Sequence, residues 1–179
     1  SGISRTILPA GINYSYADGD QWYQWSPDGK WFLVDFLSPQ RWSSEVGLVS
    51  SSGEGELINL TKSGYEDVLP RWTLGGEALY WFNDRHGDRM QAGWPSQYDV
   101  YAAFLTRDSW DAWRLNSAEK EQFDDQKKKE EKAKNKGDKG KDNKDEPEDE
   151  DPIKLPDPVE IELDGLKDRM TRLTLHSGD

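Results

Sequence analysis

Short runs of aromatic and branched residues, each bounded by turn formers, recur through the first 116 residues. Trp31-Phe32-Leu33-Val34-Asp35-Phe36 and Ala78-Leu79-Tyr80-Trp81-Phe82 have the length and composition of strands. Ser26-Pro27-Asp28-Gly29-Lys30 precedes the first, and Thr73-Leu74-Gly75-Gly76-Glu77 precedes the second. Pro presets φ at an early corner of a turn and Gly accepts positive φ at a later one, so each segment predicts strand, turn, strand.

Laying Trp25 over Trp72 exposes an internal repeat of 72 − 25 = 47 residues. Trp25-Ser-Pro-Asp-Gly-Lys-Trp-Phe-Leu-Val34 then matches Trp72-Thr-Leu-Gly-Gly-Glu-Ala-Leu-Tyr-Trp81. Further strand-like runs follow at 45–49 and 56–61 after the first copy and at 99–104 after the second. Four short strands in ~40 to 50 residues are the signature of a propeller blade. The predicted fold class is therefore all-β, part of a β-propeller: about two four-stranded antiparallel blades, flanking strands and a charged insert. The first blade is expected at about 20–25, 31–36, 45–50 and 56–60, and the second at about 69–72, 78–83 and 98–105. The strand completing the second is Val159–Leu163 or Met170–Thr174. Propellers need ~4 to 8 blades to close. Ser4–Leu8 reads as the last strand of a preceding blade and Met170–Leu175 as the approach to a following one, so the chain is expected to be a piece of a longer protein.

Charge separates a second region. Of the 35 residues from Ser117 to Asp151, 24 are Asp, Glu or Lys and only Phe123 is aromatic, whereas all nine Trp lie elsewhere. A segment this polar cannot offset its ordering entropy by burial. Three regions are expected: blades over 1–116, a charged insert over 117–156 and returning strands over 157–179. Within the insert, Asn116-Ser-Ala-Glu119 has an N-cap followed by an acid at N3, which predicts a solvated helix to about Lys136, and the Gly- and Pro-containing stretch from Gly137 to Pro156 predicts disorder. The acids there lack the spacing, glycine and terminal Glu of a calcium loop.

With 35 acidic and 23 basic residues the net charge is −12, which argues against nucleic acid as a partner. No apolar run is long enough to cross a bilayer as a helix, so no membrane insertion is expected. The absence of cysteine removes disulfides, thiol nucleophiles and thiolate metal sites.

Trp25-Ser-Pro-Asp-Gly-Lys-Trp31, Leu60-Thr-Lys-Ser-Gly-Tyr-Glu-Asp-Val-Leu-Pro-Arg-Trp72 and Tyr80-Trp-Phe-Asn-Asp-Arg85 resemble the β-propeller of tricorn-like serine proteases, and more loosely the TolB propeller. Asp99-Val-Tyr-Ala-Ala-Phe104, the Lys/Glu-rich insert and Ile161-Glu-Leu-Asp-Gly-Leu-Lys-Asp-Arg169 are similar to the branch found in bacteria related to Bacteroides. The second copy departs from the Pro-Asp-Gly turn at Leu74-Gly75-Gly76. The resemblance implies an exported, periplasmic protease whose propellers gate or hold peptides while a separate domain, beyond Asp179, cuts them. The partners it implies are peptides or proteins and the remaining blades and peptidase domain of the parent chain. A TolB-like interaction propeller unconnected with proteolysis is the alternative.

Nucleophilic catalysis needs a Ser or Thr beside a positioned base, and His86 and His176 are the only imidazoles. His86 lies in a hairpin loop with no Gly-x-Ser-x-Gly elbow, His176 reads as a surface residue, and two histidines so placed make no zinc site. Glu66 and Asp67 read as turn or cap residues. No catalytic residue, metal or cofactor is assigned to this segment. Binding is the better assignment: alternating strand direction sends three connections to one face, carrying Trp42, Tyr65, Arg85, His86 and Trp94 as candidate peptide or partner contacts. Trp25, Trp31, Trp72 and Trp81 lie on strands and are expected in the core.

Overall fold

A computed structural model describes residues 4–13, 21–88, 96–137 and 156–178. The chain divides into two compact units, residues 1–107 with 156–179, and residues 108–155.

The first unit is built on two four-stranded antiparallel sheets, each in simple sequence order. β1 (Tyr23–Trp25), β2 (Trp31–Leu37), β3 (Ser44–Ser50) and β4 (Ile58–Asn59) form the first. β5 (Asp67–Thr73), β6 (Ala78–Asn83), β7 (Asp99–Phe104) and β8 (Met170–Arg172) form the second. The strands fall where the repeat predicts them, and Met170–Arg172, paired with Tyr101–Ala103, is the strand that completes the second sheet. Neither Val159–Leu163 nor Ser4–Leu8, expected as the last strand of a preceding blade, is a strand; Val159 and Ile161 pack against the core, and the Glu162 N–H donates to Leu105 O at 2.8 Å.

The two equivalent turns are closed differently. In the first, the Gly29 N–H donates to Ser26 O at 2.9 Å and the Asp28 carboxylate accepts from the Ser26 hydroxyl at 2.6 Å. In the second, Leu74, Gly75 and Gly76 all have positive φ and form a short 3-10 turn. A side chain at Gly76 would run into Val159 and Pro27.

Alternation sends one face of each sheet into a shared core of Leu33, Val46, Leu48 and Leu60 with Leu79, Trp81, Ala103, Leu105 and Leu166. Polar contacts join the sheets beside it. The Trp72 N–H donates to Gln24 Oε1 at 3.0 Å, the Trp22 indole N–H to Pro70 O at 3.1 Å and the Leu69 N–H to Asp35 Oδ2 at 3.3 Å. Leu69 has φ 52° at the point where β5 slips register against β6, and Pro70 follows it on this edge strand, where a missing N–H is tolerated.

The expectation of four core tryptophans is corrected. Trp81 is buried and Trp31 and Trp72 pack partly buried against the core, but Trp25 is 53% exposed. It shares with Tyr23, Phe32 and Val34 the face of the first sheet that points away from the second, because β1 and β2 pair Trp25 with Phe32 and Tyr23 with Val34.

Arg169, 2% exposed, fastens the returning segment. Its guanidinium donates to Phe104 O at 3.1 Å, Asp164 O at 3.0 Å, Leu105 O at 3.4 Å and Glu162 O. A planar fork of five N–H donors suits this role, which a lysine could not fill.

The second unit contains α1 (Arg107–Arg114) and α2 (Ser117–Gly137). The predicted capping box starts α2: Asn116 Oδ1 accepts the Ala118 and Glu119 N–H groups at 3.1 and 3.0 Å, and Glu119 Oε2 accepts the Asn116 N–H at 3.0 Å. The helix α1 is an element the sequence reading missed. Its Trp110 and Trp113 rings stack at 5.4 Å, with the Arg114 guanidinium over Trp110 at 5.5 Å. The stretch expected to be disordered lies mostly outside the described residues. Among those described, no helix is long and apolar enough to cross a membrane.

Candidate functional site

The β2–β3, β4–β5 and β6–β7 connections emerge at one end of the sheets, and three buried acids brace the latter two. Glu45 accepts the Thr61 hydroxyl at 2.8 Å and the Ser63 and Gly64 N–H groups at 3.0 and 3.2 Å. Asp67 accepts the Ser63 hydroxyl at 2.5 Å, the Trp81 indole N–H at 2.7 Å and the Asn83 amide at 2.6 Å. Asp84 accepts the Glu66 N–H at 3.0 Å and returns its own N–H to Glu66 O at 3.3 Å, which ties the β6–β7 connection to the β4–β5 connection. Glu66 in turn accepts the Ser44 N–H at 3.1 Å, at the end of the β2–β3 connection. The loop backbones are thus held by hydrogen bonds of the charge-assisted kind.

Burial sets the titration of this scaffold. It raises the Asp67 carboxyl despite the bonds from Ser63, Asn83 and Trp81. It pushes Asp35 up to about 6, with the negative charge of Glu66 acting in the same direction and the Leu69 N–H opposing. Burial also raises the Tyr98 phenol, reinforced by the charges of Asp84 and Glu66. Asp99 goes the other way: burial alone would raise it, but bonds from Thr174, Arg172 and Ser177 outweigh that and hold the carboxyl low.

On this scaffold stand the candidate contacts. Trp42 is 71% exposed and holds φ 55°, a left-handed conformation that costs a bulky residue energy, with its N–H bonded to Ser38 O at 3.0 Å. The neighbouring Arg41 guanidinium lies directly over Gly64, where positive φ and the absence of a Cβ admit it. Next to Gly64, Tyr65 carries the Arg85 guanidinium over its ring at 5.4 Å. His86, exposed, lies parallel to Tyr101 at 6.5 Å between centroids, and Tyr101 stacks on buried Trp81 at 6.1 Å. The structure therefore brings Tyr65 and Arg85 together, links the loop of Trp42 to that of Tyr65 through Arg41 and Gly64, and sets His86 on Tyr101. Trp94 lies outside the described residues. Among those described, no group of acids and histidines is arranged to hold a metal ion.

The sequence reading missed Glu45 and Asp67 as the braces, treating Asp67 as a turn residue. Their donors Thr61, Ser63 and Asn83 come from the β4–β5 connection and from β6, so no local spacing marks these acids. Comparison with protein-family models, curated proteins and solved structures gave no match to the chain.

Proposed function

We propose that the two sheets are consecutive blades of a tricorn-like β-propeller and that the loop face holds an extended peptide or protein segment without cutting it. The observation that carries the binding reading is Trp42: an indole held largely exposed, in a left-handed backbone conformation, on a loop closed by backbone bonds to Ser38 and tied at its end to half-buried Glu66. Strain of this kind persists where the surroundings over-determine it and clusters at ligand-contacting positions. Rigid exposed aromatics beside arginines are also the composition of interaction hot spots. Tyr65, Arg85 and His86 extend the surface, and the acidic brace keeps the loops in place before the partner arrives, which lowers the ordering cost of binding.

The test is fluorescence anisotropy with labelled tryptic peptides of casein as the probe. Trp42→Ala is expected to weaken binding at least tenfold, about 1.4 kcal/mol, with the melting temperature unchanged. Equal affinity for wild type and variant ends the reading. For the parent protein, a gene that runs past Asp179 into a PDZ-like stretch and a serine peptidase domain, with an export signal, fits the proteolytic role. One that runs into further blades and then stops fits a TolB-like interaction propeller instead.

A further inference from the structure

The brace built on Glu45 occurs twice. Where the chain leaves β4, the Leu60 N–H donates to Val46 O at 2.9 Å, the Thr61 hydroxyl donates to Glu45 Oε2 at 2.8 Å, and Thr61 Oγ1 accepts the Val46 N–H at 3.1 Å. The chain leaving β8 repeats each bond. The Leu173 N–H donates to Val100 O at 2.8 Å, the Thr174 hydroxyl donates to Asp99 Oδ1 at 2.8 Å, and Thr174 Oγ1 accepts the Val100 N–H at 3.2 Å. A serine completes both: Ser63 gives Glu45 its N–H and Ser177 gives Asp99 its hydroxyl, each at 3.0 Å. Asp99, like Glu45, is buried, so residues 173–178 are fixed as firmly as residues 60–64.

β8 runs antiparallel to β7 and ends where β7 begins, which brings residues 173–178 out at the end that carries Trp42, Tyr65 and Arg85. Contacts link the connections in order. Arg41 lies over Gly64, Arg85 lies over Tyr65, and Tyr98 exchanges backbone bonds of 2.7 and 3.0 Å with Gly178. Between the braced Thr and Ser the first connection exposes Lys62 and the second, one residue longer, exposes Leu175 and His176. Lys62 is exposed although packed sheets flank it, so exposure at this position belongs to the connection itself. An exposed leucine alone means little. Leu175, however, is 87% exposed on a backbone held by a buried acid, at the far end of the row that starts with Trp42.

Charge along this row is sorted by depth. Glu45, Asp67 and Asp84 are buried among hydrogen-bond donors, and Glu66 is half-buried on the Ser44 N–H. Arg41, Lys62 and Arg85 are exposed, and Asp88 is the one exposed acid among the described residues of these connections. Two guanidinium groups thus stand over adjacent residues, Gly64 and Tyr65, in the middle of the row. Their planar forks match carboxylates.

We propose that Leu175 is the far anchor of the peptide-holding face, and that the segment held there is apolar at its two ends and acidic between them. One apolar side chain lies on Trp42, the other on Leu175, and side-chain carboxylates meet the Arg41 and Arg85 guanidinium groups. This rests on the loop-face reading above and names the chemistry of its ligand.

The probes are fluorescein-labelled decapeptides capped at both ends, about 33 Å long when extended, read by anisotropy. One has leucine near each end and two glutamates in the middle, the second has lysines in place of the glutamates, and the third has serines in place of the leucines. Capping removes the terminal carboxylate, so a preference for the first over the second reports the glutamates. The natural chain is expected to bind the first about tenfold more tightly than either of the others. Leu175→Ser is expected to weaken the first probe about fivefold and to leave the third unchanged. Arg41→Gln combined with Arg85→Gln is expected to bring the glutamate and lysine probes to equal affinity. A measurement without variants covers a loss of folding: in the natural chain the first probe is expected to slow amide exchange at 175–177 as well as at 41–44 and 64–66. Protection confined to the latter two stretches overturns the proposal, as does equal affinity of the natural chain for the first two probes, or failure to bind any of the three. Full affinity of Leu175→Ser for the first probe, with Trp42→Ala weakened, overturns it too and leaves the loop-face reading standing. That reading falls only if Trp42→Ala binds the casein peptides as wild type does.

Discussion

The two sheets follow one 47-residue plan and differ in how they are finished. The first completes itself locally: β4 follows β3 after a short connection and closes the sheet within the repeat. The second leaves its third strand at Phe104 and regains its fourth at Met170, with residues 108–155 forming a separate compact unit in between. The Glu162 N–H to Leu105 O bond and the four carbonyls gathered by Arg169 replace the missing short connection. The lesson is that a meander tolerates a long excursion where the two ends of the excursion bond to each other, because loop-closure entropy grows only slowly with length.

The largest expected effect comes from the clamp. Arg169→Ala strips donors from several buried carbonyls and is expected to destabilise by about 3 kcal/mol or more, seen as early loss of exchange protection in β7 and β8 while β2 and β3 stay protected. Equal loss in both sheets would show that the second sheet does not depend on its clamp in the way proposed.

A smaller effect concerns the seam between the sheets. Asp35 holds its proton more tightly folded, at about 6 against an ordinary 3.8, so its contribution to stability is fully present below pH 3.8 and is lost as the pH rises through about 6. Asp35→Asn keeps an acceptor for the Leu69 N–H without the charge. It is expected to gain about 2 kcal/mol over wild type at pH 8 and nothing at pH 4, read from urea midpoints at the two pH values. A gain of the same size at both would assign the effect to packing and not to charge.

The smallest effect is the difference between the equivalent turns. Gly76 has φ 105° with Val159 and Pro27 in the way of a Cβ, whereas Gly29 has φ 69° and open space. Gly76→Ala is expected to cost about 2 kcal/mol and Gly29→Ala about 1 kcal/mol. Thermal melts that reverse this order would show that the tighter packing of the second turn carries no energetic weight.

The sheets were legible because the repeat fixes spacing, and turn residues fix where each strand begins. Local capping chemistry made the start of α2 legible in the same way. Trp25 was misplaced because its burial depends on the sheet facing it and not on its own strand; pairing with Phe32 set its direction without saying what lay there. The helix α1 was overlooked because Trp110 and Trp113 count as β-formers by composition, although their spacing of three places them on one helical face. Of the candidate site, exposed aromatics and arginines could be picked out as loop residues. The acids beneath them could not, since a buried carboxylate is recognised by the donors converging on it from distant strands.

The bonded neck at Leu105 and Glu162 has a mechanical consequence. Tension applied to the excursion through residues 108–155 reaches the second sheet at two points that are already joined, so the load falls on the neck and on the Arg169 fork before it can peel β8 from β7. An excursion rooted this way can be pulled, lengthened or loaded with a fused cargo while the second sheet stays closed.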